Sequence, residues 1–386
     1  MHLKLTEEQE MIRNAAREFA RKECHPGVIE RDEQQQFPMQ QVLSLARLGF
    51  MGMMVDPAYG GAGLDTMSYV LAMEEISKID ASVSVCMSVN NSLVCWGLEA
   101  FGTEEQKQKY LTPLAQGIKD NELHIGAFLL SEPEAGSDAR SQSTTAENRG
   151  DHYLLNGTKN WITNGSSASV YLVIAQSDPA KGSKGINAFI VEKNWTGVTV
   201  GNKENKLGIR GSDTHSIMFQ DVKVPRENRL GEEGSGFVFA MKTLAGGRIG
   251  IASQALGIAS GAYELSLQYS RERKAFGKPI CQHQAVQFKL ADMATRIEAA
   301  RMLCLKAAWE KDTGKDYAVS SSMAKVFASE TAMWTAVEAV QIHGGYGYVK
   351  EYHVERLLRD AKITQIYEGT SEVQRMVISR SLTESR

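Results

Sequence analysis

No two cysteines in this sequence are spaced as CxxC; the five stand at positions 24, 86, 95, 281 and 304. That spacing argues against a structural zinc site or a disulfide framework and fits a reducing compartment. A net charge of −3 leaves no electrostatic footprint for nucleic acid. No long uncharged apolar run stands out as a bilayer span, so no membrane insertion is expected. Met1 to Glu8 carry neither an apolar signal core nor an Arg-rich leader and run straight into a helix pattern. The expected location is cytoplasmic, or the mitochondrial matrix if the chain is a processed form. Also missing are a GxxxxGKS/T loop, a GxGxxG turn after a strand, an HExxH pair and a GxSxG elbow. Kinase, NAD-dependent, zinc-hydrolase and serine-hydrolase chemistries thus lack their sequence support, and no metal is expected.

A chain of 386 residues exceeds one ordinary domain, and its 42% hydrophobic content is that of folded globular units. Patterning divides it in three. Thr6 and Gln9 form a capping box ahead of Ile12, Ala15, Ala16 and Phe19 at helical spacing. Helical patterns continue over 39–48, 66–79 and 103–114, broken by the turn-rich 56–63. From Ile125 the character changes to short β-rich runs at 152–156, 170–175, 188–191, 198–200 and 216–219. No long helix fits between them, so an antiparallel sheet or small barrel is expected rather than a parallel α/β sheet. After Gly236 longer helices return. Apolar residues at 286, 290, 293, 297, 300, 304 and 308 make a helix-bundle seam, and a second helix over 317–342 stops at Gly344-Gly345. The expected architecture is α+β and multidomain. It has an N-terminal helical domain (1–125), a middle antiparallel β domain (126–233) and a C-terminal four-helix bundle (234–386).

Four segments can carry chemistry. Leu130 to Asp138 combines hydroxyls, small residues and backbone donors that suit a loop over a ligand, and equally a solvated turn. Trp161-Ile162-Thr163 can set an aromatic face and a hydroxyl against a planar ligand, or end a strand with a core Trp. Gln341 to Tyr348 places glycines where backbone can approach a ligand, or merely stops a helix; His343 alone reads as a packed histidine. Glu368 lies in an otherwise uncharged stretch from Ile363 to Ser371. Desolvated there, it would have the raised pKa of a useful general base; the alternative is a solvated loop acid.

Taken in order, Tyr59-Gly60-Gly61-Ala62-Gly63, Ser131 to Asp138, Trp161-Ile162-Thr163, Lys206-Leu207-Gly208-Ile209-Arg210 and Gln341 to Asp360 resemble the acyl-CoA dehydrogenase family over nearly the whole chain. The stretches 87–93 and 247–257 resemble its short-chain, butyryl branch most. The resemblance implies FAD between the β domain and the bundle, a homotetramer, and an electron-transfer flavoprotein as acceptor. It implies dehydrogenation of a short-chain acyl-CoA to the trans-2-enoyl-CoA. Glu368 matches the base that removes the α-proton while the β-hydrogen leaves as hydride. Phe128, Leu129, Leu130, Ser131, Gly136 and Ser137, with Trp161, Ile162 and Thr163, match the flavin wall. Thr370, Ser371 and Glu372 match further FAD contacts. Arg273, Gln284, Gln341, Ile342, His343, Gly344 and Gly345 match FAD contacts at a subunit interface. Ser137, Ala245, Gly246, Gly247, Arg248 and Gly369 match the acyl-CoA site.

Members of the isovaleryl and long-chain type carry their base just before the arginine matching Arg248; here that residue is Gly247, which leaves the role to Glu368. Glutaryl-type members have an arginine at the position of Ser84, so a dicarboxylic acyl chain is not expected. Two residues depart from the pattern: Leu129 stands where Ala, Cys or Gly is usual, and Ala245 where short-chain members have Asp. The competing functions are an enoyl-CoA reductase, a cyclic or branched acyl-CoA dehydrogenase, an oxygen-using oxidase, and a non-catalytic acyl-CoA or flavin binder.

Overall fold

The structure, a computed structural model, describes residues 4–384, so Met1 to Leu3 of the N-terminal pattern lie outside the described residues. Helix α1 (Glu7–Phe19) opens on the expected capping box: Thr6 accepts from the Gln9 amide, and the Gln9 side chain accepts from the Thr6 amide. Helix α2 (Met39–Arg47) follows, and Asp65 caps helix α3 (Thr66–Ser77). The 103–114 pattern forms a helix capped by Thr103 that widens into a π turn over Lys107–Leu111 and ends at Gln116.

One long helical stretch escaped the reading of apolar runs. Helix α4 (Ala81–Ser88) continues through a π turn to Phe101. The most apolar 18-residue window of these 21 residues has a mean hydropathy of 1.2, enough by length and composition to cross a membrane, yet 94% of that window is buried inside the protein. Serines and an Asn pair interrupt the run in sequence, and those amides explain its place. Asn90 donates to the Met51 and Leu114 carbonyls and accepts from the Gly126 amide; Asn91 donates to the Phe50 carbonyl. Inside a protein each such amide needs partners, and here they tie the helical domain to the first β strand.

The middle domain is an eight-stranded mixed sheet. Its strands are β1 (Gly126–Leu129), β2 (Thr145–Asn148), β3 (His152–Thr163), β4 (Val170–Gln176), β5 (Ile186–Glu192), β6 (Val198–Lys203), β7 (Thr214–Pro225) and β8 (Arg229–Leu230). The order is β8-β5-β4-β2-β3-β7-β6, with β1 also against β4. Most neighbours are antiparallel, but β1 runs parallel to β4 and β2 meets β4 in parallel at Thr145. The exception fits the chain path: β1 comes from the helical domain, where Asn90 accepts from the Gly126 amide, and no hairpin turn joins it to β4. Strand β4 is buried throughout and β5 nearly so, because one face packs in the sheet's own core and the other against helices. That accounts for their unbroken apolar runs.

The C-terminal part consists of α5 (Gly236–Glu272), α6 (Gln284–Asp312), α7 (Ala318–His343), α8 (His353–Ile363) and α9 (Ser371–Thr383). Helices α5 to α8 form the bundle, with α9 against α7. The predicted seam is real from Leu290 onward: Leu290, Met293, Ile297, Ala300, Cys304 and Ala308 are all buried, and Val286 at its start is half-buried. Helix α3 also crosses α5 closely. A Cβ on Gly257 would lie 2.4 Å from the Glu74 carbonyl, a separation only glycine permits. Buried charges join the three parts: Asp360 accepts from the Ile209 amide and from Arg356, and Arg359 pairs with Asp32 at 2.7 Å.

Candidate functional site

Helix α5 runs beneath the loops that the sequence singled out, and three of them meet it. Phe128 and Arg140, on either side of the Leu130 to Asp138 loop, pack against Phe239 and Phe237, His343 stacks on Tyr269, and Glu368 reaches Gly247.

Glu368 sits between the end of α8 and the cap of α9, in the left-handed region at φ 53°, with Gly369 at φ 94°. A Cβ is disfavoured there, so the turn is held by its surroundings. Gln374, on the first turn of α9, donates to the carbonyls of both residues. The carboxylate lies over Gly247: a Cβ on that residue would stand 2.1 Å from Oε2. The base position implied by Glu368 and the one ruled out at residue 247 are thus the same place in space, approached from two directions. Oε2 is buried without a hydrogen-bond partner among the described residues. Burial pushes the carboxyl up to about 7, against the pull of Lys325 and Arg248. The residue as a whole keeps some accessible surface. Among the described residues the Glu368 amide donates to no protein carbonyl. Arg248 is buried and donates to Ser322, and its Nε has no partner among the described residues.

Residues 247, 250 and 254 share one face of α5. Buried Gln254 accepts from the Tyr367 hydroxyl and donates to the Ala81 carbonyl and to Ser84. Ser84 is itself bonded to Ser77 and fully buried. Tyr367, Gln254, Ser84 and Ser77 thus form a buried polar network next to the Glu368 turn.

The second cluster forms at the end of β3. Register slips by one residue between Lys159 and Ile162, and within that bulge Trp161 adopts φ 63° and stands 63% exposed. A bulge re-aims a side chain, and this one turns Trp161 out of the sheet. It is not a core tryptophan; Ile162 points inward and is buried. The Asn160 amide donates to the Ser131 carbonyl at 2.8 Å, which brings Leu130-Ser131 beside Trp161 and Thr163. Beneath them Lys159 is fully buried and bridges the Leu130 carbonyl, Gln142 and Glu132, the last at 2.7 Å. Glu132 in turn accepts from the Ser143 and Thr144 amides, and its carboxyl is held down near 2 despite burial by the Lys159 ammonium. This pair fixes the loop carrying Gly136 and Ser137, both exposed. Leu129 is buried in the sheet core and Phe128 half-buried.

A third group lines a concavity of about 470 Å³, formed by Tyr269, Arg273, Ile280, Ile342 to Tyr346 and Val349. The His343 ring stacks on Tyr269, and its Nδ1 donates to the Ala339 carbonyl at 2.8 Å, as a packed histidine does. Gly344 and Gly345 leave open space where side chains would stand. A guanidinium beside two bare glycines suits a pyrophosphate, and an exposed indole beside strand amides suits a planar ring. The donor sets present thus fit FAD.

Not every expected residue joins these clusters. Gln284 and Gln341 are exposed and outside the concavity's lining, and Glu372 is exposed on α9. Thr370 caps α9, and Ser371 is buried with its hydroxyl unpartnered among the described residues. Ala245 is half-buried and Gly246 buried. Lys159, Glu132, Gln254, Lys325 and Gln374 were missed by the sequence reading. Lys325 did leave a trace: it falls at helical spacing with Ser321, Ala328 and Ala332, so a charge sits on an otherwise small-residue buried face.

Models of the acyl-CoA dehydrogenase N-terminal, middle and C-terminal domains match residues 6–118, 127–222 and 234–383. The chain is 50% identical over 379 residues to the short-chain specific acyl-CoA dehydrogenase of Clostridium acetobutylicum, covering 98% of this chain and 99% of that one. It superposes on butyryl-CoA dehydrogenase from Megasphaera elsdenii with a TM-score of 0.96 at 49% identity, over 99% of this chain and 100% of the other. A chain from a structure described as the electron transferring flavoprotein of Acidaminococcus fermentans gives 0.97 at 50% identity, with 100% of both chains covered. Full-length identity at this level, with three domain models in order, shows that the chain belongs to the acyl-CoA dehydrogenase family.

Proposed function

We propose that this chain oxidises short-chain acyl-CoA thioesters at the α,β bond, using FAD, and delivers the electrons to an electron-transfer flavoprotein. The observation that carries the reading is the Glu368 carboxylate: buried on one side, free of hydrogen bonds, pushed up to about 7 and lying over Gly247. A carboxyl with that pKa is half ionised near neutrality and has a lone pair free to take a proton. The unpaired Glu368 amide is a donor for the thioester oxygen as negative charge develops there. FAD, when bound, accepts the hydride that leaves the β-carbon. The wall of Leu130, Ser131, Trp161 and Thr163 would hold its ring system, and Arg273 with Gly344 and Gly345 its phosphates. The lining of the Arg273 concavity includes no β-domain residue, which suits a contact made to the FAD of another protomer in a homotetramer. Arg248, Gly246 and Ser137 belong to the acyl-CoA side of the site. A non-catalytic binder would gain nothing from a desolvated, unpartnered base.

A short acyl chain suits the polar network next to Glu368. Extending an acyl chain past Glu368 would bring methylenes against the Tyr367–Gln254–Ser84 network and break its buried hydrogen bonds. Each extra methylene gains at most about 0.8 kcal/mol, while each orphaned buried partner costs about 1–3 kcal/mol. Ser84 lies inside that network, so no cation waits there for a distal carboxylate. Anaerobic titration of the holoenzyme with acyl-CoAs of graded length and shape tests this. Bleaching of the flavin should be fastest near butyryl-CoA. Fastest bleaching by long, branched or cyclic chains would reject the short-chain assignment, and no bleaching by any would reject the dehydrogenase.

A further inference from the structure

Behind the Glu368 turn lies a buried lysine for which proton abstraction has no direct use. Lys325, on α7, has no exposed surface. Its Nζ donates to the Thr364 carbonyl at 3.1 Å and to the Gly369 carbonyl at 2.6 Å. Thr364 closes α8, and Gly369 immediately precedes the cap of α9, so one ammonium bridges both ends of the turn that presents Glu368. Two consecutive positive φ angles make that turn a conformation needing external support. Yet Gln374 already donates to the Gly369 carbonyl, and a neutral donor would serve the rest. Burying a charge is costly unless the charge acts on something. Among the described residues no carboxylate pairs with Lys325 within salt-bridge distance.

We propose that Lys325 is a positioning residue for Glu368: it sets the turn through the Thr364 and Gly369 carbonyls, and its positive charge holds the Glu368 carboxyl in its ionised form. The proposal rests on Glu368 being the base. The groups that face Glu368 are Lys325 from α7, Arg248 from α5, Tyr69 from α3 and its neighbour Tyr367. Glu372 of α9 faces Lys325, and Asp360 of α8 faces Tyr367. Of these only Lys325 and Arg248 favour the ionised carboxyl, Lys325 more strongly. Burial lowers Lys325 itself to about 8, which leaves it charged while Glu368 titrates near 7.

The test follows the protonated-carboxyl infrared band that is lost in Glu368→Gln, across pH, in the holoenzyme without substrate. In Lys325→Met the midpoint of that band should rise by roughly one pH unit or more, as expected on losing a nearby opposite charge. The acid limb of flavin reduction by butyryl-CoA should rise with it. Lys325→Arg, which keeps the cation, should return the midpoint towards that of the parent. Gln374→Ala removes the hydrogen bonds to the Glu368 and Gly369 carbonyls, the second of which Lys325 also bonds, without removing charge; it should slow reduction and leave the midpoint in place. If Lys325→Met does not fold, Lys325→Gln takes its place. An unmoved midpoint in the neutral variant overturns the proposal, as does an equal shift in Gln374→Ala. Rapid flavin reduction by Glu368→Gln would instead overturn the assignment of the base, and the infrared shift would still judge Lys325.

Discussion

Replacing Gly247 with alanine should damage catalysis far more than folding. The new Cβ would stand 2.1 Å from Oε2 of Glu368, 3.1 Å from its Cδ and 2.7 Å from Cδ2 of Leu93. A carbon and an oxygen pack no closer than about 3.3 Å, so the carboxylate must retreat by roughly 1 Å. A displacement of that size at reacting atoms costs on the order of 10²-fold in rate. Stability changes little, because opposing effects nearly cancel. Alanine gains about 1 kcal/mol over glycine in a helix interior, and modest overpacking costs about 1–3 kcal/mol. The atoms that must move are ends of side chains, which places the cost at the low end. Rapid-mixing absorbance of the holoenzyme with butyryl-CoA gives the rate, and thermal unfolding gives the stability. A parent-like reduction rate in a folded Gly247→Ala protein would show that the carboxylate does not work from its place over residue 247. A collapse of stability alongside the rate would show that the space over Gly247 serves packing.

Two further outcomes follow from the buried charges. Burial raises the Glu368 carboxyl from 4.5 to about 7, so the folded chain keeps a proton that the unfolded chain has lost. Stability therefore falls as pH rises across that window, and Glu368→Gln, which has no such proton, should melt higher than the parent by a margin that widens from about pH 4.5 to about pH 7 and then levels off. A margin independent of pH in calorimetry would contradict the raised pKa. Lys159→Met leaves the Glu132 carboxylate buried and unpaired beneath the Ser131 loop; unfolding measurements should show a loss of roughly 3–5 kcal/mol, with weaker FAD retention in the same variant. Unchanged stability and flavin content would mean that the pair does not hold the loop.

The order helix, sheet, helix was legible because hydrophobic periodicity is local, and so were the Thr6 capping box and the seam from Leu290 to Ala308. The stretch 81–101 was not. Its buried asparagines break the apolar run in sequence, and only the distant carbonyls of Phe50, Met51 and Leu114 explain them. The parallel pairing of β1 escaped for the same reason, since it depends on where Asn90 holds the chain. Within the site, Glu368 could be singled out from its uncharged surroundings, and Trp161 from its neighbours. Whether either faced a ligand could not be read: one needed the contact with Gly247, the other a bulge in register with β7. Lys159 and Lys325 are ordinary letters in sequence. What sets them apart is burial, which depends on the packing of elements far away along the chain.

The role of Glu368 is tested most directly by Glu368→Gln, which keeps the side chain's size and removes its basicity. Mixed anaerobically with butyryl-CoA, the holoenzyme variant should still bind the thioester, and dithionite should still reduce its flavin. Reduction by substrate should fall by at least about 10²–10⁴-fold, the usual worth of a general base. Glu372, exposed about one helical turn further on, should not replace it. Flavin reduction by butyryl-CoA at a rate close to that of the parent would mean that Glu368 is not the base.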